Sequence, residues 1–189
     1  MTDSDRPSDQ GQERLGANEA LRAFEELFDS TYRQVLAYCL RRTPSREDAE
    51  DVVAATYLVA WTKIEEVAAA RVPLAWLYGV AYRSLANQRR GSARWARLLE
   101  RAKRQQTFRR ADDPALVVEG SAEVERLRQA LESLSRIDQE LLRLAAWEGL
   151  SNAEIAQVLR TSEGAVRSRL HRARRRLGEA YQRLGGETA

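Results

Sequence analysis

Residues 150–177 read LSNAEIAQVLRTSEGAVRSRLHRARRRL. Ser151 and Glu154 have the spacing of a capping box, in which a serine oxygen and a glutamate carboxylate reciprocally satisfy free backbone N–H groups at a helix start. The spacing predicts a helix from Ser151 with Ile155, Ala156, Val158 and Leu159 on its apolar face. Arg160-Thr161-Ser162 interrupts the pattern, and Thr161 or Ser162 is placed to cap a second helix from Glu163. Two short helices across such a break form a helix-turn-helix. In the second, Val166, Leu170, Ala173 and Leu177 recur as one buried stripe. At about 100° per residue the opposite side carries Gly164, Ser168, His171, Arg172 and Arg175, with Arg167 and Arg174 on one flank and Arg169 and Arg176 on the other.

That outer face has the chemistry of duplex DNA recognition. Arginine takes guanine bidentately, serine reaches a base or a phosphate, and a glycine near the helix start lets the backbone N–H groups approach a phosphate. Gly164, Arg167, Ser168, His171, Arg172 and Arg175 are the expected DNA-binding set. A solvated helix face is the plain alternative for any one of these arginines. Six arginines and the chain's single histidine opposite a clean apolar stripe exceed what solubility needs. His171 by itself fits plain exposure or a phosphate contact as well as base reading. Upstream, Leu127, Leu131, Leu134, Ile137, Leu141, Leu142 and Leu144 supply core beneath the motif.

Working back along the chain, the helical pattern runs over 122–184, is broken over 91–121, and resumes over 19–90. Residues 1–18 are polar and aperiodic, a disordered tail, and 185–189 form a second short tail. Gly91 opens the 91–121 linker, which contains Asp112-Asp113-Pro114 and whose 94–110 segment is suited to become helical when bound. The fold class is all-α, with two small helical domains joined by a flexible linker and a helix-turn-helix in the second.

In the first domain, Ser45 and Asp48 again have cap spacing, ahead of DAEDVVAATYLVAWTKI. Ala49, Val52, Val53, Thr56 and Ala60 form one face, and Asp51, Ala54, Ala55, Leu58 and Thr62 the other, with Trp61 at its margin. Two such faces on a short helix imply two packing partners, the second being another helix of the domain or a separate protein. Pro73 suits the first turn of the next helix, PLAWLYGVAYRSLANQRR. There Leu77, Val80, Ala81 and Ser84 face inward, while Gly79, Tyr82, Arg83, Ala86 and Arg90 face out with Trp76 and Asn87 to one side. Rings interleaved with guanidinium groups suit melted DNA, because rings stack bases while arginines hold phosphates. For Trp76, packing against the preceding helix is an equal alternative.

Charge is segregated along the chain. Residues 1–70 carry 8 basic and 14 acidic groups, 71–110 carry 11 and 1, 111–150 carry 4 and 9, and 151–189 carry 8 and 4. Two basic blocks able to release counterions from phosphates, each preceded by an acidic one, fit two DNA contacts and another partner. The lone Cys39 excludes an intramolecular disulfide, and no Cys/His spacing or carboxylate cluster suggests a metal, a cofactor or a catalytic site. No uncharged run approaches the roughly 18 residues of a membrane span, and a cytoplasmic protein without membrane insertion is expected.

These residues resemble the extracytoplasmic-function group of bacterial sigma factors. Three motifs carry the likeness, in the family's order and spacing: DAEDVV…AW at 48–61, PLAWLYGVAYRSLANQRR at 73–90, and the helix-turn-helix at 150–177. The resemblance implies a non-enzymatic initiation factor that binds core RNA polymerase and promoter DNA and is held in check by an anti-sigma factor. It implies polymerase contacts at Asp51, Ala54, Ala55 and Leu58, on the face that periodicity selects independently, and at Asp48 near the helix start. It implies −10 element contacts at Trp76, Tyr82, Arg83, Asn87 and Arg90, and −35 reading by the C-terminal helix. The family usually has a polar pair where this chain has Ala54-Ala55, and its base-accepting loop is longer than 65–72, EEVAAARV, so no base-pocket residue is assigned. A helix-turn-helix regulator that binds duplex DNA without polymerase is the competing reading; it would need neither face of the first domain.

Overall fold

The structure, a computed structural model, describes residues 16–102 and 121–186, with side chains over 16–91 and 121–185. Its elements are helices throughout: α1 Ala17–Leu40, α2 Arg46–Thr62, α3 Ile64–Ala68, α4 Pro73–Ala102, α5 Ala122–Glu132, α6 Arg136–Ala146, α7 Asn152–Leu159 and α8 Glu163–Gly186. The 1–15 part of the expected first tail, the 103–120 part of the expected linker and the 187–189 part of the expected second tail lie outside the described residues. The helical ends move two residues into each expected tail, to Ala17 and Gly186, and the linker boundary shifts further. Helix α4 continues through Gly91 to Ala102, so 91–102 is helix rather than linker. A single glycine costs about 1 kcal/mol in a helix interior, which the helix-forming residues on both sides offset.

Helix starts follow the cap chemistry. Ser45 accepts from the Asp48 N–H, Ser135 from the Asp138 N–H, and Ser151 from the Glu154 N–H while Glu154 completes the box. In the first half, α1, α2 and α4 bury Val35, Tyr38, Cys39, Val52, Val53, Tyr57, Leu77 and Ala81. The predicted inner face of α2 is buried throughout, and Tyr57 joins it. The Tyr57 hydroxyl lies 2.8 Å from Thr31 Oγ1, and its ring meets Phe24 and Phe28 edge-on. Phe24 in turn packs against Trp61, with centroids 5.2 Å apart at 80°. Edge-to-face contacts of this kind add stabilisation beyond the area buried. In the second half, α8 lays Val166, Leu170, Ala173 and Ala180 against the preceding helices.

The two halves share one continuous core. Helix α7 lies across α4, where Gly79 is buried and a Cβ added to it would stand 3.5 Å from both the Cα and the carbonyl oxygen of Val158. A Cβ there would be in ordinary van der Waals contact with the α7 backbone, so the two helices pack closely at this point. The sequence reading that placed Gly79 on an outer face fails here, because periodicity identifies a face without identifying what covers it.

Candidate nucleic-acid and protein interfaces

The turn of the helix-turn-helix is built on Arg160, which ends α7 in the left-handed region at φ 52°, and on Ser162, whose Oγ accepts the Ala165 N–H at 3.2 Å. This geometry leaves the row Gly164, Ser168, His171, Arg172 and Arg175 exposed along α8. A Cβ at Gly164 would meet only open space, so the first turn is accessible to a phosphate. Arg167 and Arg175 each make a single exposed ion pair on their own helix, with Glu163 at 2.8 Å and Glu179 at 3.4 Å. Exposed pairs of this sort contribute at most about 1 kcal/mol and exchange readily for a phosphate or base. Arg172 has no ion-pair partner among the described residues.

The other flank serves a different purpose. Arg169 Nε and Arg176 Nη1 donate to the two carboxylate oxygens of Asp138 at 2.8 and 2.7 Å, and Asp138 is almost wholly buried on α6. Burial alone would raise the Asp138 pKa. The hydrogen bonds from Arg169, Ser135 and Arg176 outweigh it and hold the carboxyl below its ordinary value. This clamp fixes the rotation of α8 about its axis, and with it which arginines face out. Asp138 was legible in the sequence only as part of a leucine-rich segment; its one signal was the spacing from Ser135.

On α2, Asp51, Ala54, Ala55, Leu58 and Trp61 form an exposed strip in which Leu58 is 65% and Trp61 43% accessible. Among the described residues no helix covers it, so there the second apolar face has no packing partner within its own domain. Asp48 stands apart from that strip. It is half-buried, taking hydrogen bonds from Ser45 Oγ at 2.8 Å and from Gln88 Nε2 on α4 at 2.9 Å, so its oxygens secure the start of α2.

The α4 set is only partly open. Asn87 and Arg90 are exposed and hydrogen-bonded to each other. Trp76 donates its indole N–H to Glu66 at 3.1 Å. Tyr82 and Arg83 are half-buried. Burial, then the neighbouring charge of Arg160, pushes the Arg83 pKa down. Beside them a cleft of about 530 Å³ runs between α4 and α6, with Arg89, Arg90, Arg136 and Arg143 around Tyr82 and Ala86. Among the described residues no cluster of His, Cys, Asp or Glu could hold a metal, and no helix is long and apolar enough to cross a membrane.

Comparison with known proteins gives this arrangement its place. The Sigma-70 region 2 family model matches residues 27–96, and the Sigma-70, region 4 model matches 124–177. The ECF RNA polymerase sigma factor SigL of Mycobacterium tuberculosis is 35% identical over 162 residues, covering 84% of this chain and 89% of SigL. RNA polymerase sigma factor YlaC of Bacillus subtilis is 30% identical over 153 residues, covering 80% and 88%. Among solved structures, the sigma factor RpoE of Bartonella quintana in complex with the anti-sigma factor NepR superposes with a TM-score of 0.63 at 24% identity, covering 85% of this chain and 98% of RpoE. CnrH in complex with the cytosolic domain of CnrY gives 0.55 at 25%, covering 84% and 87%. With both halves matched in order and relatives aligned over most of their length, the chain belongs to the extracytoplasmic-function sigma factors of bacterial RNA polymerase.

Proposed function

We propose that this chain directs core RNA polymerase to its promoters by a division of labour among three helices. Helix α8 reads the −35 element through Gly164, Arg167, Ser168, His171, Arg172 and Arg175. Helix α4 engages the −10 element through Trp76, Tyr82, Arg83, Asn87 and Arg90. The exposed strip of α2, centred on Leu58 with Asp51, Ala54 and Ala55, receives the polymerase, and Asp48 supports it from the helix start. The observation that carries this reading is the outward row of α8, held by the Asp138 clamp against a fully apolar opposite stripe.

The chemistry of transcription would belong to the polymerase, and the protein would act in the cytoplasm, where that enzyme works. Likeness to CnrH, solved with the cytosolic domain of CnrY, supports an anti-sigma partner for this chain as well. The DNA reading is tested by substituting Arg172→Ala and Arg175→Ala separately and measuring binding to a panel of promoter variants. A base-reading arginine should cost about 1 to 3 kcal/mol and lose discrimination at one promoter position. A uniform loss across the panel would assign a phosphate contact, and no loss would remove the residue from the site.

A further inference from the structure

The cleft between α4 and α6 gathers positive charge without matching acid. Arg89 and Arg90 line it from α4, Arg136 and Arg143 from α6, and none of the four has an ion-pair partner among the described residues. The one carboxylate in its walls is Glu140, and both of its oxygens are taken. Arg42 Nε donates to them at 3.1 and 3.0 Å, and the Tyr38 hydroxyl donates to Oε1 at 2.9 Å. The Arg42 and Glu140 side chains are 1 and 8% exposed, a buried pair that keeps its geometry and leaves the arginines of the cleft uncompensated. Glu132, a further acid that acts on Arg143, is held in an exposed pair by Arg128.

Arg143 is the member of the group that most lacks an anion. It is half-buried, and its Nε is shut off from solvent with no hydrogen-bond acceptor among the described residues. Burial first, then the charge of Arg42, pushes its pKa below the ordinary value against a smaller opposing pull from Glu140. Buried donors in folded proteins are nearly always satisfied, and a phosphate oxygen satisfies a guanidinium in charge as well as geometry. The other walls add a ring and an amide. Tyr82 is half-buried beside the arginines, and Gln139 donates its amide nitrogen to the carbonyls of Glu132 and Leu134 at 3.2 and 3.0 Å, which leaves its side-chain oxygen as an acceptor. The volume of about 530 Å³ is that of a small-ligand site. Arginines converging on it from two helices enclose a compact polyanion, whereas an extended strand, with its phosphates in a line, would meet only some of them.

We propose that this cleft is a binding site for a short polyphosphate chain, free or carried by a nucleoside, with Arg89, Arg90, Arg136 and Arg143 on the phosphate oxygens. When a nucleoside carries the chain, Tyr82 stacks on the base and Gln139 accepts from an amino group on its edge. The site is separate from the duplex-reading row of α8. It shares Tyr82 and Arg90 with the −10 set but does not depend on that assignment. Calorimetric titration of the full-length protein with inorganic tripolyphosphate, ATP and GTP, in the absence of divalent cations, tests it. Saturable binding at one site per chain is expected. Arg143→Gln and Arg136→Gln should each weaken it about tenfold or more, the loss of a charge-assisted hydrogen bond, with unchanged far-ultraviolet spectra. Arg174→Gln removes an equal charge from the exposed flank of α8 and should leave the affinity as it is. Equal affinity for the three ligands assigns the site to the phosphate chain alone. Tighter binding of a nucleotide assigns it to a nucleoside polyphosphate, and Tyr82→Leu should then erase the difference. No saturable binding of any of the three, or an equal loss in the Arg174→Gln protein, would overturn the site. So would a mixed-sequence single strand of about 12 nucleotides that binds through Arg143 and Arg136 where tripolyphosphate and the nucleotides do not, since the cleft would then belong to DNA.

Discussion

Arg169 and Arg176 differ from Arg172 and Arg175 in the sequence only by their position around α8, yet they do different work. The first two are spent on Asp138; the second two face solvent. Periodicity separated the flanks of α8 correctly but had no means of seeing a carboxylate 31 residues upstream of Arg169. Replacing Asp138→Asn leaves two arginines facing an amide and removes a charge-assisted pair. It should lower stability by about 2 kcal/mol, read in urea unfolding at neutral pH. The sign of the pH dependence follows from the depressed carboxyl. Its contribution is present above the unfolded-state carboxylate pKa and is lost as pH falls through the lower folded-state value. The variant and the parent should therefore converge in stability in acid. A gap that persists undiminished at low pH would contradict the clamp.

At the scale of helices, the caps at Ser45 and Ser151, the stripe of α8 and the two faces of α2 were all legible, because each is written in spacing within one helix. What the sequence could not show was the partner of each face. The exposed α2 strip and the covered α4 surface look alike in periodicity, and only the placement of α7 distinguishes them. Gly91 misled for a related reason: a glycine followed by arginines reads as a break, while the helix simply continues. The exposed strip of α2 makes its own prediction. Leu58→Asp puts a charge on a side chain that is already 65% accessible, so the fold should persist, with an unchanged far-ultraviolet spectrum and melting temperature within a few degrees. Co-purification with core polymerase should fall to background. Retained co-purification would place the polymerase contact elsewhere.

Taken as a whole, the molecule is two helical units that the helical pattern already implied, joined in one core that it did not. The acidic block 111–150 reads as a stretch that DNA would repel; two of its carboxylates, Glu140 and Glu148, are in fact consumed by Arg42 and Arg41 of the other half. Such long-range pairs leave no trace in local pattern, because Arg42 and Glu140 stand nearly a hundred residues apart. The central claim remains that this chain confers promoter specificity on RNA polymerase. Its most direct measurement is run-off transcription by purified core enzyme on a randomised promoter library, with and without the protein. The account predicts that added protein yields transcripts from templates sharing a −35 and a −10 element at fixed spacing, and that Arg172→Ala and Arg175→Ala alter preference only within the −35 element. Transcripts indistinguishable from those of core enzyme alone would contradict it.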